Sequence, residues 1–328
     1  MYERLAEAVL KSGQRMEIGV ITAPDAEWRD RIVPFLGHKG EPYASHIQRS
    51  HEGALDDLET RYYVGHLQGR VITQVMIAGA RGAGILGHVY TLPEERRKGA
   101  YQALMAAQMA DMPCRGFQLL SLGTGFERPP YWIYHSFGFR GIAPGRGEMR
   151  WTAGEDAEAE VFGPGRVVAR DARWDDWGFV AWLGLLPVAA DEELPRSRVM
   201  RLKSRGMMEG AYVRLLLTRE QEPGMTVRVL QSEHGATVAW AILAPDAHWF
   251  SDVWTLDLHA HPSFAAGLPT LLGSLPWPEA PVASAVTAPA GPKAAALAAG
   301  GFTRIARLPA WLRPDDGARR DVSLWIRS

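Results

Sequence analysis

The run Gly84-Ile85-Leu86-Gly87-His88-Val89-Tyr90-Thr91-Leu92-Pro93-Glu94-Glu95-Arg96-Arg97-Lys98-Gly99-Ala100-Tyr101-Gln102-Ala103-Leu104 decides how the rest of the chain reads. The apolar piece from Gly84 to Tyr90 predicts a buried strand. Beyond Pro93 the residues Ala100, Leu104, Ala107 and Gln108 fall at helical spacing. The junction between them is basic and contains a glycine. A helix start leaves its first N–H groups unpaired and carries partial positive charge, so such a turn attracts anions, phosphates above all. Gly99 has no Cβ to keep a ligand away from the backbone.

Downstream, Phe117 to Thr124 predicts the next strand, followed by Tyr131-Trp132-Ile133-Tyr134-His135-Ser136-Phe137-Gly138-Phe139. Taken in order, Arg96-Arg97-Lys98-Gly99-Ala100-Tyr101 resembles the acyl-CoA diphosphate turn of the GNAT superfamily of N-acetyltransferases, Arg/Gln-x-x-Gly-x-Gly/Ala. Tyr134 to Phe139 resembles that family's Tyr-x-x-x-Gly-Phe ending. Tyr101 departs from the pattern, a bulky residue where a small one is usual.

The resemblance implies acetyl-CoA as co-substrate. It places the diphosphate on Arg96, Arg97, Lys98 and the main chain of Gly99, Ala100 and Tyr101, and lays the pantetheine arm along the backbone of Val89, Tyr90 and Thr91. Tyr134 stands where the family's thiolate proton donor stands. For the base that takes the amine proton, His88 on the central strand is the first candidate, since an imidazole near 6.5 suits the task. Glu59, His66 and His135 stand behind it, and Ser121 or Thr124 could orient the acceptor.

A chain of 328 residues suggests two domains. The second half repeats the grammar faintly. Arg166–Ala169, Tyr212–Leu217, Thr226–Gln231 and Thr237–Ala244 read as strands, Asp175–Leu186 as a Trp-rich helix, Trp254–Leu258 as a counterpart of the central strand, and Pro262–Leu272 as the helix after it. Ser263-Phe264-Ala265-Ala266-Gly267 replaces the basic turn without a cation, and Gly301-Phe302 echoes Gly138-Phe139. The expectation is a mixed α+β chain of two GNAT-like domains, each a mostly antiparallel, splayed sheet flanked by helices. The first covers 1–151, a linker rich in acidic residues covers 152–165, and a degenerate second copy covers 166–328. Within the first, residues 1–15 read as a short helix, Ala26–Leu36 and Tyr43–Leu55 as helices, and Arg61–Leu67 with Val71–Gly79 as a hairpin.

Net charge of −1 gives no general attraction for nucleic acid or an anionic membrane. No apolar run is long enough to span a bilayer. The lone Cys114 fits a reducing cytoplasm. His259-Ala260-His261 with Asp257 lacks a clear further ligand, so no metal is expected. The expected function is direct acetyl transfer from acetyl-CoA to a primary amine of a small molecule, with homodimerisation left open. The alternatives are a non-catalytic acyl-CoA-binding module and an acyltransferase using another donor.

Overall fold

The computed structural model describes residues 1–186, 209–222, 224–246, 252–287, 290–312 and 319–328. They fall into two compact units. The first is built from Met1–Glu158, Arg173–Trp182 and the described part of Met207–Leu216. The second takes Ala159–Ala172 and the described parts of Leu183–Gly206 and Leu217–Ser328. The division at Glu158/Ala159 falls inside the stretch read as a linker, while two later segments lie with the first unit.

In the first unit the chain runs β1 (Tyr2–Val9), β2 (Arg15–Thr22), α1 (Ala26–Phe35), α2 (Tyr43–Glu52), β3 (Glu59–Leu67), β4 (Arg70–Ala80), β5 (Ala83–Thr91), α3 (Ala100–Asp111), β6 (Leu119–Gly123), α4 (Pro129–Ser136), β7 (Arg140–Gly141) and β8 (Glu148–Thr152). The strands form one sheet in the order β1-β2-β3-β4-β5-β6-β8-β7, antiparallel except for the pair β5·β6. A short helix α5 (Ala157–Val161) follows, and α6 (Trp177–Leu183) and α7 (Glu209–Gln221) bring the later segments.

Period-two alternation sets the layers. On β3, Tyr62 points to α2, where its hydroxyl meets Ser50 Oγ at 2.9 Å. Its neighbour Tyr63 points the other way and donates to Asp111 of α3 at 2.7 Å. The α3 face is the main apolar core, with Ile18, Val20, Ile72, Val75, Leu104 and Met105 all buried. The β3–β4 hairpin turns on Gln68 (φ 49°) and Gly69 (φ 85°), two successive left-handed residues that match the twist of the flanking strands.

Two expectations fail. Residues 2–9 are an edge strand rather than a helix, paired with β2 from Tyr2↔Ile21 to Val9↔Arg15. The one-sided set Leu5, Val9 and Leu10 suits a helix and a half-solvated edge strand alike, and pairing decides. Tyr2 makes that pairing selective: its ring stacks on Trp28 at 4.7 Å and fills the place of a side chain above Gly19. Residues 212–217 belong to helix α7, not to a strand. Tyr212, Val213 and Leu216 are buried at one-sided helical spacing, and the run Leu215-Leu216-Leu217 carries no β-branched residue to favour extension.

The second unit holds β9 (Val167–Asp171), β10 (Thr226–Ser232), β11 (Thr237–Pro245), β12 (Trp254–Ala260), α8 (Leu268–Gly273), β13 (Val282–Val286), α9 (Pro292–Ala299), β14 (Thr303–Leu312) and β15 (Arg320–Arg327). Its sheet order is β14-β15-β13-β12-β11-β10-β9. Read from β9, this repeats the first sheet from β2 onward, strand for strand. Again one pair, β12·β13, is parallel.

Candidate functional site

In the first unit β5 and β6 pair only through Ala83–Ile85 and Leu119–Ser121. From Leu86 onward β5 has no ladder partner on that side, so the sheet splays. A bulge sits in the opened part, where the register with β4 slips between Gln74 and Met76 and His88 takes φ 51°. Val89, Tyr90 and Thr91 follow with one backbone edge unpaired by β6. An extended ligand laid in the gap would meet that edge as a strand meets its neighbour.

Beyond Thr91 the chain makes a short 3₁₀ turn (Pro93–Glu95), passes through Arg97 (φ 65°) and Gly99 (φ 88°), and enters α3 at Ala100. Left-handed residues in such a turn are the backbone ingredient from which an anion-binding nest of amides is made. Among the described residues no backbone carbonyl accepts from the amides of 97 to 102, and Gly99 provides no side-chain cap. They border a cavity of about 430 Å³ lined by Lys11, Thr91, Arg96, Arg97, Gly99, Tyr101 and Gln102 among others. The corner is open.

Its cations are not equivalent. Lys98 turns to the buried Glu95 carboxylate at 3.0 Å, so its charge is committed inward. Arg96 is anchored by Nε to the Thr91 carbonyl at 3.1 Å and lies over the Tyr90 ring, which leaves the far end of its guanidinium for a ligand. Arg97 is exposed. Lys11, from the β1–β2 turn, lines the cavity and its amide donates to the Lys98 carbonyl at 3.0 Å. Sequence reasoning missed Lys11 because it placed residues 1–15 in a helix.

Tyr101 does not block the corner. Its ring meets Tyr134 edge to face at 6.3 Å, and its hydroxyl, buried, finds no well-aligned partner. Burial raises the Tyr101 phenol well above its usual value. Burial lifts Tyr134 to about 12, with Tyr101 beside it pulling the other way. A thiol near 8.5 lies far below that, so Tyr134 can serve a developing thiolate only as a hydrogen-bond donor.

The other end of the splay faces α1 and α2. His88 is buried against His46, Nε2 to Nδ1 at 3.2 Å, and His46 Nε2 reaches Thr60 Oγ1 at 3.2 Å. Trp177 packs edge-on to His46 at 4.8 Å and Trp174 stacks at 6.4 Å. Burial drives His46 down to about 3, and burial with His46 beside it drives His88 well below the usual imidazole value. Both are neutral at pH 7. Tyr43 meets the His88 ring at 5.2 Å.

A carboxylate that sequence reasoning did not select, Glu209 at the start of α7, sits at this end. A Cβ on Gly87 would stand 3.2 Å from its Oε1. Burial pushes its carboxyl up to about 7 against the opposing pull of Lys39. The remaining candidates lie elsewhere or are engaged: Glu59 pairs with Arg61, His66 with Tyr2 and Glu17, and His135 lies beside Trp132 on α4. Ser121 is buried with an unpaired hydroxyl at the end of the β5·β6 ladder. In the second unit His259 meets the Leu183 carbonyl, His261 stacks on Phe162, and Asp257 faces Lys293. Among the described residues no helix is long and apolar enough to cross a membrane, and no group of three metal-ligating side chains converges.

No family model matches the sequence, and no curated protein matches it. Among solved structures the chain is similar to a GNAT superfamily phosphinothricin acetyltransferase from Sinorhizobium meliloti in complex with AcCoA, at 20% identity over 49% of this chain and 87% of that one, TM-score 0.36. It is similar to a ribosomal-protein-alanine N-acetyltransferase from Brucella melitensis at 16% identity over 49% and 98%, TM-score 0.38. A third likeness is to an N-acetyltransferase from Thermoplasma acidophilum in complex with coenzyme A, at 13% identity over 40% and 98%, TM-score 0.31.

Proposed function

We propose that the first unit binds acetyl-CoA and transfers its acetyl group to a primary amine of a small molecule. One observation carries this reading: the amides of 97 to 102 have no backbone acceptor among the described residues, and Arg97, Gly99, Ala100, Tyr101 and Gln102 line an open cavity together with Lys11 and Arg96. That is a diphosphate cradle, and it lies at the end of a strand whose edge is free for an extended arm. The acceptor nitrogen would attack the thioester carbonyl, forming C–N and breaking C–S. Tyr134 would steady the leaving sulfur by a hydrogen bond that strengthens as charge develops.

A charge-assisted hydrogen bond contributes roughly 1.5–3 kcal/mol, so Arg96→Ala should weaken acetyl-CoA binding about ten- to a hundredfold by calorimetry. Free-thiol release with a panel of primary amines reads the transfer itself. A second reading is acyl-CoA binding without turnover. It is favoured by the depressed basicity of His88, which makes that residue a weak base. Tight binding with no thiol released from any amine would select it.

A further inference from the structure

We infer that Glu209 receives the proton of the acceptor ammonium, and that the acceptor is a primary amine carrying a single positive charge. This rests on the acyl-transfer reading above for its reaction, but not for its binding site.

The placement comes first. Glu209 reaches the part of β5 where the sheet has already opened, and Gly87 makes room for it: any side chain there would crowd Oε1 at 3.2 Å and Met76 Cε at 3.3 Å. Its neighbour Gly210 is equally constrained, since a Cβ would fall 2.8 Å from the Tyr43 hydroxyl. The start of α7 is therefore packed tightly into the first unit, and the Trp177 indole fixes it by donating to the Glu209 carbonyl at 3.0 Å. The carboxylate itself has no hydrogen bond or ion pair among the described residues, and the residue keeps part of its surface accessible. A largely buried carboxylate without a paired cation is a costly arrangement, and an arriving ammonium relieves it.

The charged and titratable groups around it are few. Lys39, in the loop between α1 and α2, stabilises its ionised form from a distance. Tyr43 on α2 and Tyr134 on α4 both feel its charge, and Arg214, one turn further along α7, offsets it at Tyr43. Lys39 also sets selectivity, because an acceptor with a second cation meets a like charge in a poorly solvated place. Tyr43 packs edge-on to His88 and Phe35 edge-on to Tyr90, each at 5.2 Å, so aromatic rings flank this end of β5 and an apolar body behind the amine would meet them.

The step balances simply. The ammonium passes one proton to the Glu209 carboxylate, and the neutral amine then attacks. The acetyl group leaves sulfur for nitrogen, and the nitrogen's second proton goes to the thiolate. The Glu209 proton returns to solvent. Raising the carboxyl from its usual value to about 7 narrows the gap to an alkylammonium by roughly 2.5 units, about three-hundredfold in the transfer equilibrium.

The test compares the full chain with Glu209→Gln and Glu209→Asp, using phenethylamine, propylamine and spermidine as probes. Binding of acetyl-CoA and of each amine is read by calorimetry, and turnover by thiol release from pH 5 to 9. The inference requires that E209Q bind acetyl-CoA as the wild type does, which also shows it folded, yet lose about ten- to a hundredfold in phenethylamine affinity. Turnover should fall about a hundredfold or more, and the rise of kcat/KM with pH through about 7 should vanish in E209Q and partly return in E209D. Spermidine should bind weakest. Unchanged amine affinity and pH profile in E209Q overturn the inference, as does a wild type that binds none of the amines. If amines bind through Glu209 while acetyl-CoA does not bind, the acyl-transfer reading falls and the amine site stands.

Discussion

The two units share a strand order from β2 and β9 onward, and differ where the helix after the parallel-paired strand begins. In the first, α3 starts behind a left-handed Gly99 with no side-chain cap, six amides without backbone acceptors among the described residues, and cations around an open cavity. In the second, the turn Pro262–Gly267 is closed on itself. His261 Nδ1 accepts from the Ser263 amide, the Phe264 amide bonds the His261 carbonyl at 2.8 Å, and Phe264 is buried. Gly267 has an ordinary helical φ of −80° and packs against Leu230 and Val167. One scaffold, then, leaves its helix start hungry for an anion in one copy and satisfies it internally in the other.

The comparison breaks most visibly in stoichiometry. The chain should titrate with one acetyl-CoA, and the pair of substitutions Arg96→Ala and Arg97→Ala should cost about a hundredfold or more in affinity. Two equivalents bound, or a double variant that binds unchanged, would put the second corner on a par with the first.

Acid sharpens it next. His46 is held neutral down to about 3 in the folded chain but ionises near 6.5 when unfolded. The unfolded state therefore binds more protons between those values, and stability falls as pH drops below about 6.5. From pH 6.5 to 5 this one group costs about 1.5 kcal/mol, the slope approaching 1.36 kcal/mol per unit only below the unfolded pKa. Denaturant midpoints across this range should fall, with Trp174 and Trp177, packed on His46, reporting it by fluorescence. His261, held down to about 4 by burial in the second unit, adds a similar slope there. A flat profile would mean that His46 is solvated.

The smallest effect is the most diagnostic. Gly99→Ala has open space but must adopt φ 88°, a strain of about 1–2 kcal/mol. Gly267→Ala has a normal φ and meets the flexible end of Leu230 at 2.9 Å and Val167 at an ordinary 3.6 Å, so it should cost less. Gly99→Ala should also weaken acetyl-CoA binding, and Gly267→Ala should not. Thermal melts and calorimetry on both variants settle the order.

What the sequence disclosed follows chain locality. The turn 93–101, the helix carrying Tyr134 and the hairpin at Gln68-Gly69 each lie within a dozen residues, so spacing and turn chemistry expose them. Lys11 and Glu209 reach the site through tertiary packing. The first depends on recognising an edge strand whose apolar pattern was ambiguous, and the second on a helix read as a strand. His88 was visible, but its burial against His46 was not, and that burial, with His46 beside it, removes the basicity that made an imidazole attractive. The repeat was legible from its echoed motifs even though its phosphate corner is closed.

Trp177, Tyr212 and Glu209 lie well past the acidic stretch that reads like a place to cut, yet they complete the first unit. A fragment ending there would keep the proposed cofactor cradle and lose the proposed proton acceptor, while baring His46 where Trp177 now packs. Residues 1–158 expressed alone would be an incomplete unit, missing two later segments that pack into it.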